Sequence, residues 1–284
     1  MDISIGGFSF HRLIQSGKQD IFKYITDCKE LGATQLDPWN AQLAPIRDAD
    51  DVIKAGRDPG HAKLTAQDDA YLRSVREAAD AADLPFGCIA VDGAHIYESD
   101  PAAREGNRIL AYRWLDVAEI LGAEQVRVDA GGPAELPDDV MAVIVGGYRD
   151  LITRGADKGI EILMENHWGP SVIPENVVRI METIKGLGLL FDTNNWAPGM
   201  LERGWELCAK YARSTHFKTF SFDEHGNDPS VDLTRAVRLL LKAGYTGCWG
   251  VESCPEDGDE YGAARKTIAL IKRGLGEIAK SKGT

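Results

Sequence analysis

The feature that most constrains the fold is a strict alternation of short apolar runs with longer amphipathic stretches. Eight runs have the composition of strands, at residues 3–5, 34–36, 86–91, 125–128, 161–165, 189–191, 214–217 and 248–251. Eight helical patterns follow them in turn, at about 20–31, 66–82, 100–121, 138–158, 174–185, 201–212, 231–243 and 261–280. Parallel strands need crossover connections, which helices supply. Eight such units over about 250 residues predict an α/β fold of the (β/α)8 TIM-barrel type.

The domain organisation follows from the same pattern. A doubly wound open sheet is the alternative, but no run is followed by the G-x-G-x-x-G of a dinucleotide site. No low-complexity segment or Pro/Ser-rich linker interrupts the chain, so residues 1–284 are expected to form a single TIM-barrel domain. One connection is unusually long, from Pro38 to Thr65, and its length predicts a lid or a binding loop.

Charge and cysteine content narrow the class of protein. The chain has 32 basic and 44 acidic residues, a net charge of −12, which disfavours nucleic acid or an anionic membrane as a partner. The sequence contains no run of about 18 apolar residues, so no membrane span is expected. The N-terminus lacks the basic and apolar regions of a signal peptide, and the five scattered cysteines lack a Cys-x-x-Cys pair. These features predict a cytoplasmic protein with reduced thiols.

Four consecutive predicted strands end in side chains that can bind a metal. They are Glu165, Asp192, His216 and Glu252. Catalytic groups of a TIM barrel lie at the carboxyl ends of the strands, so these four are expected to share one bowl. Three carboxylates so close together repel one another unless a cation neutralises them. Oxygen ligands with one nitrogen suit Mn²⁺, Mg²⁺ or Co²⁺ better than structural Zn²⁺. The alternative is that each acid caps a helix or pairs with a nearby Lys or Arg.

The chain resembles the sugar phosphate isomerase/epimerase family of xylose isomerase-like TIM barrels over nearly its whole length. Four segments carry the resemblance: Met164-Glu165-Asn166-His167, Phe191-Asp192-Thr193-Asn194-Asn195, Thr215-His216-Phe217-Lys218 and Val251-Glu252. The resemblance implies that the four strand-end residues hold a divalent metal, with Mn²⁺ favoured. It also implies that Glu165 and Glu252 are catalytic acid/base groups as well as ligands.

The activity implied by the resemblance is that of a metal-dependent isomerase or epimerase of a keto-sugar or sugar phosphate. A metal next to a ketose carbonyl stabilises the enediolate that forms when a proton leaves the adjacent carbon. One glutamate removes that proton, and the other delivers a proton to the opposite face. The expected partner is therefore a small keto-sugar or polyol, and the sequence leaves a homo-oligomer open.

Three departures from the ketose 3-epimerase pattern bear on the substrate. Asn195 stands where those relatives have a histidine, Phe222 where they have an arginine, and Ser171 where they often have a second glutamate. These differences disfavour tagatose-type or psicose-type specificity. They leave a lyase as the alternative, either a keto-inositol dehydratase or an enzyme that cleaves 3-keto-glycosides by elimination. A DNA-repair endonuclease is disfavoured by the presence of only six histidines, and a non-catalytic sugar-binding barrel by the full ligand set.

Six further residues near strand ends are candidates for substrate contact, each with simple packing or ion pairing as the alternative. His167 and Lys218 lie two residues beyond Glu165 and His216, on the same side of their strands. Arg127 is close enough in sequence to neutralise Asp129, which ends the fourth run. The full set is His167, Lys218, Asn195, Trp168, His95 and Asp129.

Overall fold

The structure is a computed structural model that describes residues 1–282. Eight parallel strands form one sheet in the order β2-β1-β8-β7-β6-β5-β4-β3. All eight predicted runs lie in or beside these strands, and the predicted TIM-barrel fold class is confirmed. The strands are β1 (Ile3–Gly6), β2 (Gln35–Asp37), β3 (Cys88–Val91), β4 (Gln125–Val128), β5 (Glu161–Glu165), β6 (Gly188–Asp192), β7 (Ala212–Thr219) and β8 (Trp249–Ser253).

The barrel is nearly closed, because β2 and β3 are joined by isolated bridges instead of a continuous ladder. Leu36 bridges to Phe86 and Trp39 bridges to Ala90, both in parallel. Two backbone hydrogen bonds of 2.9 Å support this seam, from Leu36 to Pro85 and from Ala90 to Pro38. The mouth of the barrel therefore brings the carboxyl ends of all eight strands together.

The outer ring consists of the eight predicted helices. Pro101 at a first helical position and the left-handed Gly122, with φ of 73°, mark the ends of one of them, as the sequence indicates. The described residues also contain three short additional helices and four 3₁₀ turns. The ring is α2 (Ile21–Leu31), α5 (Ala66–Ala81), α6 (Pro101–Leu121), α7 (Asp138–Lys158), α8 (Pro174–Thr183), α9 (Leu201–Cys208), α10 (Leu233–Lys242) and α11 (Glu260–Lys282); the additions are α1 (His11–Gln15), α3 (Ala44–Arg47) and α4 (Asp50–Gly56); the 3₁₀ turns are Gly7–Phe10, Asn40–Gln42, Gly169–Val172 and Ala209–Tyr211.

The long connection at residues 38–65 is the main correction to the sequence-based prediction. It is not an open loop, because it contains a 3₁₀ turn, α3 and α4. Ile53 of α4 is buried against Ala62 and Ile109, so this segment is packed onto α6. Helices of four and seven residues are too short to show a helical period in a sequence.

Smaller corrections concern element boundaries. The helix predicted to reach residue 212 ends at Cys208 and continues as a 3₁₀ turn. The following strand, β7, is longer than predicted and runs from Ala212 to Thr219. Its extra residues at the carboxyl end carry Lys218 inside the strand ladder, opposite Glu252 of β8. None of the helices within residues 1–282 is long and apolar enough to cross a membrane.

Candidate metal centre and active site

The four predicted ligands converge at the mouth of the barrel. Strand register aligns them, since Asp192 of β6 lies opposite His216 of β7. Each of the four offers one ligand atom, and these atoms all lie within 4.8 Å of one another. All four side chains are buried, with exposures between 0% and 6%. The structure thus brings together three carboxylates and one imidazole from four adjacent strands: Glu165, Asp192, His216 and Glu252.

Backbone and amide groups fix the orientation of Asp192. Its backbone N–H donates to Asn166 Oδ1, and Asn166 Nδ2 donates back to its carbonyl, both at 2.9 Å. Its Oδ1 accepts from the backbone N–H groups of Asn194 at 2.6 Å and Asn195 at 2.8 Å. These contacts occupy one carboxylate oxygen and leave Oδ2 facing the other ligands. Asn166 is a positioning residue that sequence reasoning placed in the site without assigning it this task.

His216 lies between the two glutamates. Its Nδ1 is 3.2 Å from Glu165 Oε1 and 3.4 Å from Glu252 Oε1. Burial lowers the pKa of His216, but Glu252 and Glu165 outweigh it and raise that pKa to about 9. Both carboxylates therefore approach the same ring nitrogen, an arrangement in which a single cation can contact all three groups.

Lys218 is the second cation of this cluster. Its Nζ lies 2.7 Å from Glu252 Oε2 and 3.4 Å from Asp192 Oδ2, and it donates to Asn195 Oδ1 at 2.9 Å. Lys218 therefore pairs with Glu252, whereas Asp223, in the loop after β7, accepts from nearby backbone N–H groups. Burial would raise the pKa of Glu252, but Lys218 and His216 hold it well below its usual range.

The residues present fit a divalent ion. Among residues 1–282, two buried carboxylate oxygens of the cluster make no hydrogen bond and are not held by Arg127: Asp192 Oδ2 and Glu252 Oε2. Both also lie within ion-pair distance of Lys218. Burial raises the pKa of Asp192 to about 6, and Lys218 only partly offsets that effect. Buried carboxylates without hydrogen bonds are costly unless a cation compensates them, and hard divalent ions prefer such oxygen ligands.

A second acidic group adjoins the first and is centred on Asp129. Arg127 Nη1 lies 3.0 Å from its Oδ2, so the predicted neutralisation by Arg127 is present in the structure. His167 Nδ1 at 3.1 Å and Trp168 Nε1 at 2.8 Å contact the same oxygen. Burial would raise the pKa of Asp129, but Arg127 and His167 lower it to about 2. Burial lowers the pKa of His167, whereas Glu165 and Asp129 raise it to about 9.

A pocket opens above these groups. Phe8 and Trp39 supply aromatic walls, and Trp39 Nε1 donates to Asp92 Oδ2 at 2.8 Å. Phe8 and Asp92 were not singled out from the sequence; Phe8 lies in a 3₁₀ turn, whereas Asp92 directly follows β3 and could have been found by the same strand-end rule that found Asp129. The same pocket is also lined by Asp37, Arg127, His167, His216, Lys218 and Glu252.

The remaining candidates lie at the rim. The ring of His95 stands edge-on to Trp168, with centroids 4.5 Å apart, and lines a separate cavity between α6 and α7. Trp168 is 42% exposed, so its ring is accessible to a bound substrate. Asn195 Nδ2 lies 3.4 Å from Glu165 Oε1, which places this amide against the first cluster. His167, Lys218 and Asn195 therefore surround the four proposed metal ligands, whereas His95 lies at the rim of the barrel mouth.

The fold and this ligand arrangement define a TIM barrel with a candidate metal site at its mouth. The chain belongs to the xylose isomerase-like TIM barrel family, whose model matches residues 25–274. No curated protein matches the chain.

Solved structures with the same fold include three that share 15% to 17% of their residues with this chain, so they establish the fold alone. A D-allulose 3-epimerase from Methylomonas sp. is 15% identical, with a TM-score of 0.70 over 96% of this chain and 98% of that one. A 3-keto-D-glucoside 4-epimerase from E. coli is 15% identical, with a TM-score of 0.66 over 89% and 94%. A xylose isomerase-like protein from Mycobacterium smegmatis in complex with magnesium is 17% identical, with a TM-score of 0.67 over 96% and 97%.

Proposed function

We propose that this protein is a divalent-metal-dependent epimerase or isomerase of a keto-sugar. The observation that carries the proposal is the convergence of Glu165, Asp192, His216 and Glu252, whose ligand atoms lie within 4.8 Å of one another. Two structures with the same fold are named as sugar epimerases, a D-allulose 3-epimerase and a 3-keto-D-glucoside 4-epimerase. Their names support the reaction class and leave the substrate of this chain to experiment.

The four clustered residues would hold the metal. Mn²⁺ is favoured by the donor set of three carboxylates and one imidazole, and Mg²⁺ is the ion of the similar Mycobacterium smegmatis structure. When bound, such an ion supplies positive charge that stabilises negative charge developing on a carbonyl oxygen. His216 has to be neutral to act as a ligand, so it gives up a proton when the ion binds.

The two glutamates are the proposed proton-transfer pair. Both lie beside His216 Nδ1, through Glu165 Oε1 at 3.2 Å and Glu252 Oε1 at 3.4 Å, and they come from different strands, β5 and β8. Both pKa values are held below the usual range, Glu165 by Arg127 and His167 against its burial, so both start as carboxylates able to accept a proton. One would remove the proton next to the carbonyl and then release it to solvent, and the other would take up a proton from solvent and deliver it to the opposite face of the same carbon.

The remaining groups would orient the sugar. Phe8, Trp39 and the exposed Trp168 offer the flat apolar surfaces on which sugar rings stack. Lys218 and Asn195, which contact each other, face the ligands and can bind hydroxyl or carbonyl oxygens. Both permanent cations of the pocket lining, Arg127 and Lys218, already pair with carboxylates. The pocket therefore suits an uncharged sugar better than a sugar phosphate.

The test is solvent deuterium exchange. Protein loaded with Mn²⁺ is incubated in deuterated water with a panel of free ketoses and 3-keto-glycosides, together with ketose phosphates. We expect a carbon-bound proton next to the carbonyl of a free sugar to be replaced by deuterium, as measured by NMR and mass spectrometry. Chelator-treated protein is the control. A loss of water or aglycone instead of exchange would indicate the lyase alternative, and an absence of both with every sugar would contradict the proposal.

A further inference from the structure

Arg127 is buried among three acids at the mouth of the barrel. It lies on β4 and is only 4% exposed. Its Nη1 is 2.8 Å from Asp92 Oδ1 and 3.0 Å from Asp129 Oδ2, and its Nε is 3.0 Å from Glu165 Oε2. A guanidinium stays charged in such surroundings, so these three carboxylates share one fixed positive charge.

Two of the acids around Arg127 also belong to a second group of residues that could hold a metal ion. Asp129, Glu165 and His167 each offer a ligand atom, and these atoms lie within 4.8 Å of one another. Within the described residues, Asp129 Oδ1 and Glu165 Oε2 are buried and make no hydrogen bond. Glu165 belongs to both ligand groups, which makes it the natural bridge between two neighbouring ions.

We propose that Arg127 is a built-in cation that takes the place of a second divalent ion, so that the pocket binds one metal. The inference rests on the proposed function, because it concerns the number of ions bound at the same site. The guanidinium lies within 3.0 Å of two of the three potential ligands, so a divalent ion there would meet an immobile positive charge. Like charges at such a separation repel strongly in a buried site.

The same contact gives Glu165 two different sides. Arg127 holds Oε2, whereas Oε1 faces His216 at 3.2 Å and Asn195 at 3.4 Å. The carboxylate is thus kept in one orientation, with a single oxygen presented to the four-residue cluster. A mobile second ion could bind and leave with changes in metal concentration, whereas Arg127 supplies its charge permanently.

The experiment counts metal ions per chain. Wild type, Arg127→Met and Arg127→Lys are saturated with Mn²⁺ and dialysed, and their bound Mn²⁺ is measured by plasma mass spectrometry. We expect one ion in wild type, two in Arg127→Met, and one in Arg127→Lys, which keeps the charge. The double variant Arg127→Met with Asp129→Asn removes the cation together with one ligand, and we expect it to bind one ion.

A measurement on wild type alone covers the case in which Arg127→Met does not fold. Electron paramagnetic resonance at saturating Mn²⁺ should show the uncoupled signal of a single ion, and a spin-coupled pair would overturn the inference. One ion in a folded Arg127→Met variant would overturn it as well, while leaving the proposed function intact. Absence of bound metal in wild type would contradict the proposed function, and this inference with it.

Discussion

At the mouth of the barrel, several buried carboxylates lie side by side, whereas Asp50, the first residue of the added helix α4, is a single buried carboxylate that contacts Trp114. Each place contains a carboxylate oxygen without a hydrogen bond, among them Asp192 Oδ2 and Asp50 Oδ1. At the mouth, Arg127 and Lys218 lie within 3.4 Å of the acids. Asp50 accepts one hydrogen bond of 3.2 Å from Trp114 and makes no ion pair within residues 1–282.

The comparison distinguishes a candidate functional site from a buried carboxylate that only reduces stability. Burial raises the pKa of Asp50 to about 6, so an isolated acid moves towards its neutral form. At the mouth, the cations keep the pKa values of Glu165 and Glu252 low although both are at least as deeply buried as Asp50, whereas the pKa of Asp192 is raised to about 6 like that of Asp50. A lone unsatisfied oxygen reduces stability, whereas several that converge on one point beside fixed cations can bind a metal and move protons.

Replacing either proposed proton-transfer glutamate tests whether the charged carboxylates at the mouth are required for exchange. We expect Glu165→Gln and Glu252→Gln each to lower the rate of deuterium exchange by about 10²- to 10⁴-fold, because each loses a proton-transfer group. Metal content is measured on the same samples, since both residues are also proposed ligands. The exposed Glu135, on the loop after β4, provides the control variant Glu135→Gln. Full exchange in either site variant would contradict the assigned roles.

Metal binding at the mouth should stabilise the folded protein, and the gain should depend on the residues of the mouth. At a Mn²⁺ concentration 100 times the Kd, we expect the free energy of unfolding to rise by about 2.7 kcal/mol. His216→Ala should lose this gain, whereas His225→Ala, at an exposed histidine of the following loop, should keep it. Urea unfolding with and without Mn²⁺ measures the effect. An equal gain in both variants would show that the ion binds elsewhere.

Asp50 should behave in the opposite way, as a group whose charge opposes folding. Its pKa is raised in the folded state, so its stabilising form is the neutral one, and stability is lost as the pH rises from about 4 to about 6. We expect Asp50→Asn to raise the free energy of unfolding by about 1–2 kcal/mol at pH 7.5 and to leave it nearly unchanged at pH 4. The exposed neighbour Asp51 supplies the control Asp51→Asn. A gain that does not depend on pH would rule out burial of charge as the cause.

The fold and the four-residue cluster could be predicted because both depend on local order in the sequence. Each proposed ligand lies at or near the end of an apolar run, and parallel strands place such positions at one end of a barrel. The register of β6 against β7 then sets Asp192 beside His216, as the alternation of strands and helices implies. The same reasoning found Asp129 and its neutralising Arg127, since Arg127 lies in β4 and Asp129 directly follows that strand.

What the sequence could not show is how distant segments meet. Arg127 joins acids that follow three different strands, and nothing local indicates that Glu165 is one of its partners. Phe8 reaches the pocket from a 3₁₀ turn, where no periodicity marks a facing direction. The short helices α3 and α4 were missed because burial of Ile53 depends on tertiary packing against α6.

The central claim is that one divalent ion binds among Glu165, Asp192, His216 and Glu252. The most direct measurement is an anomalous difference map from a crystal of the wild-type protein grown with Mn²⁺. The account predicts a single strong peak bounded by these four side chains, with Arg127 still between Asp129 and Glu165. A map without a peak at this position, or with the only peak elsewhere on the molecule, would contradict it.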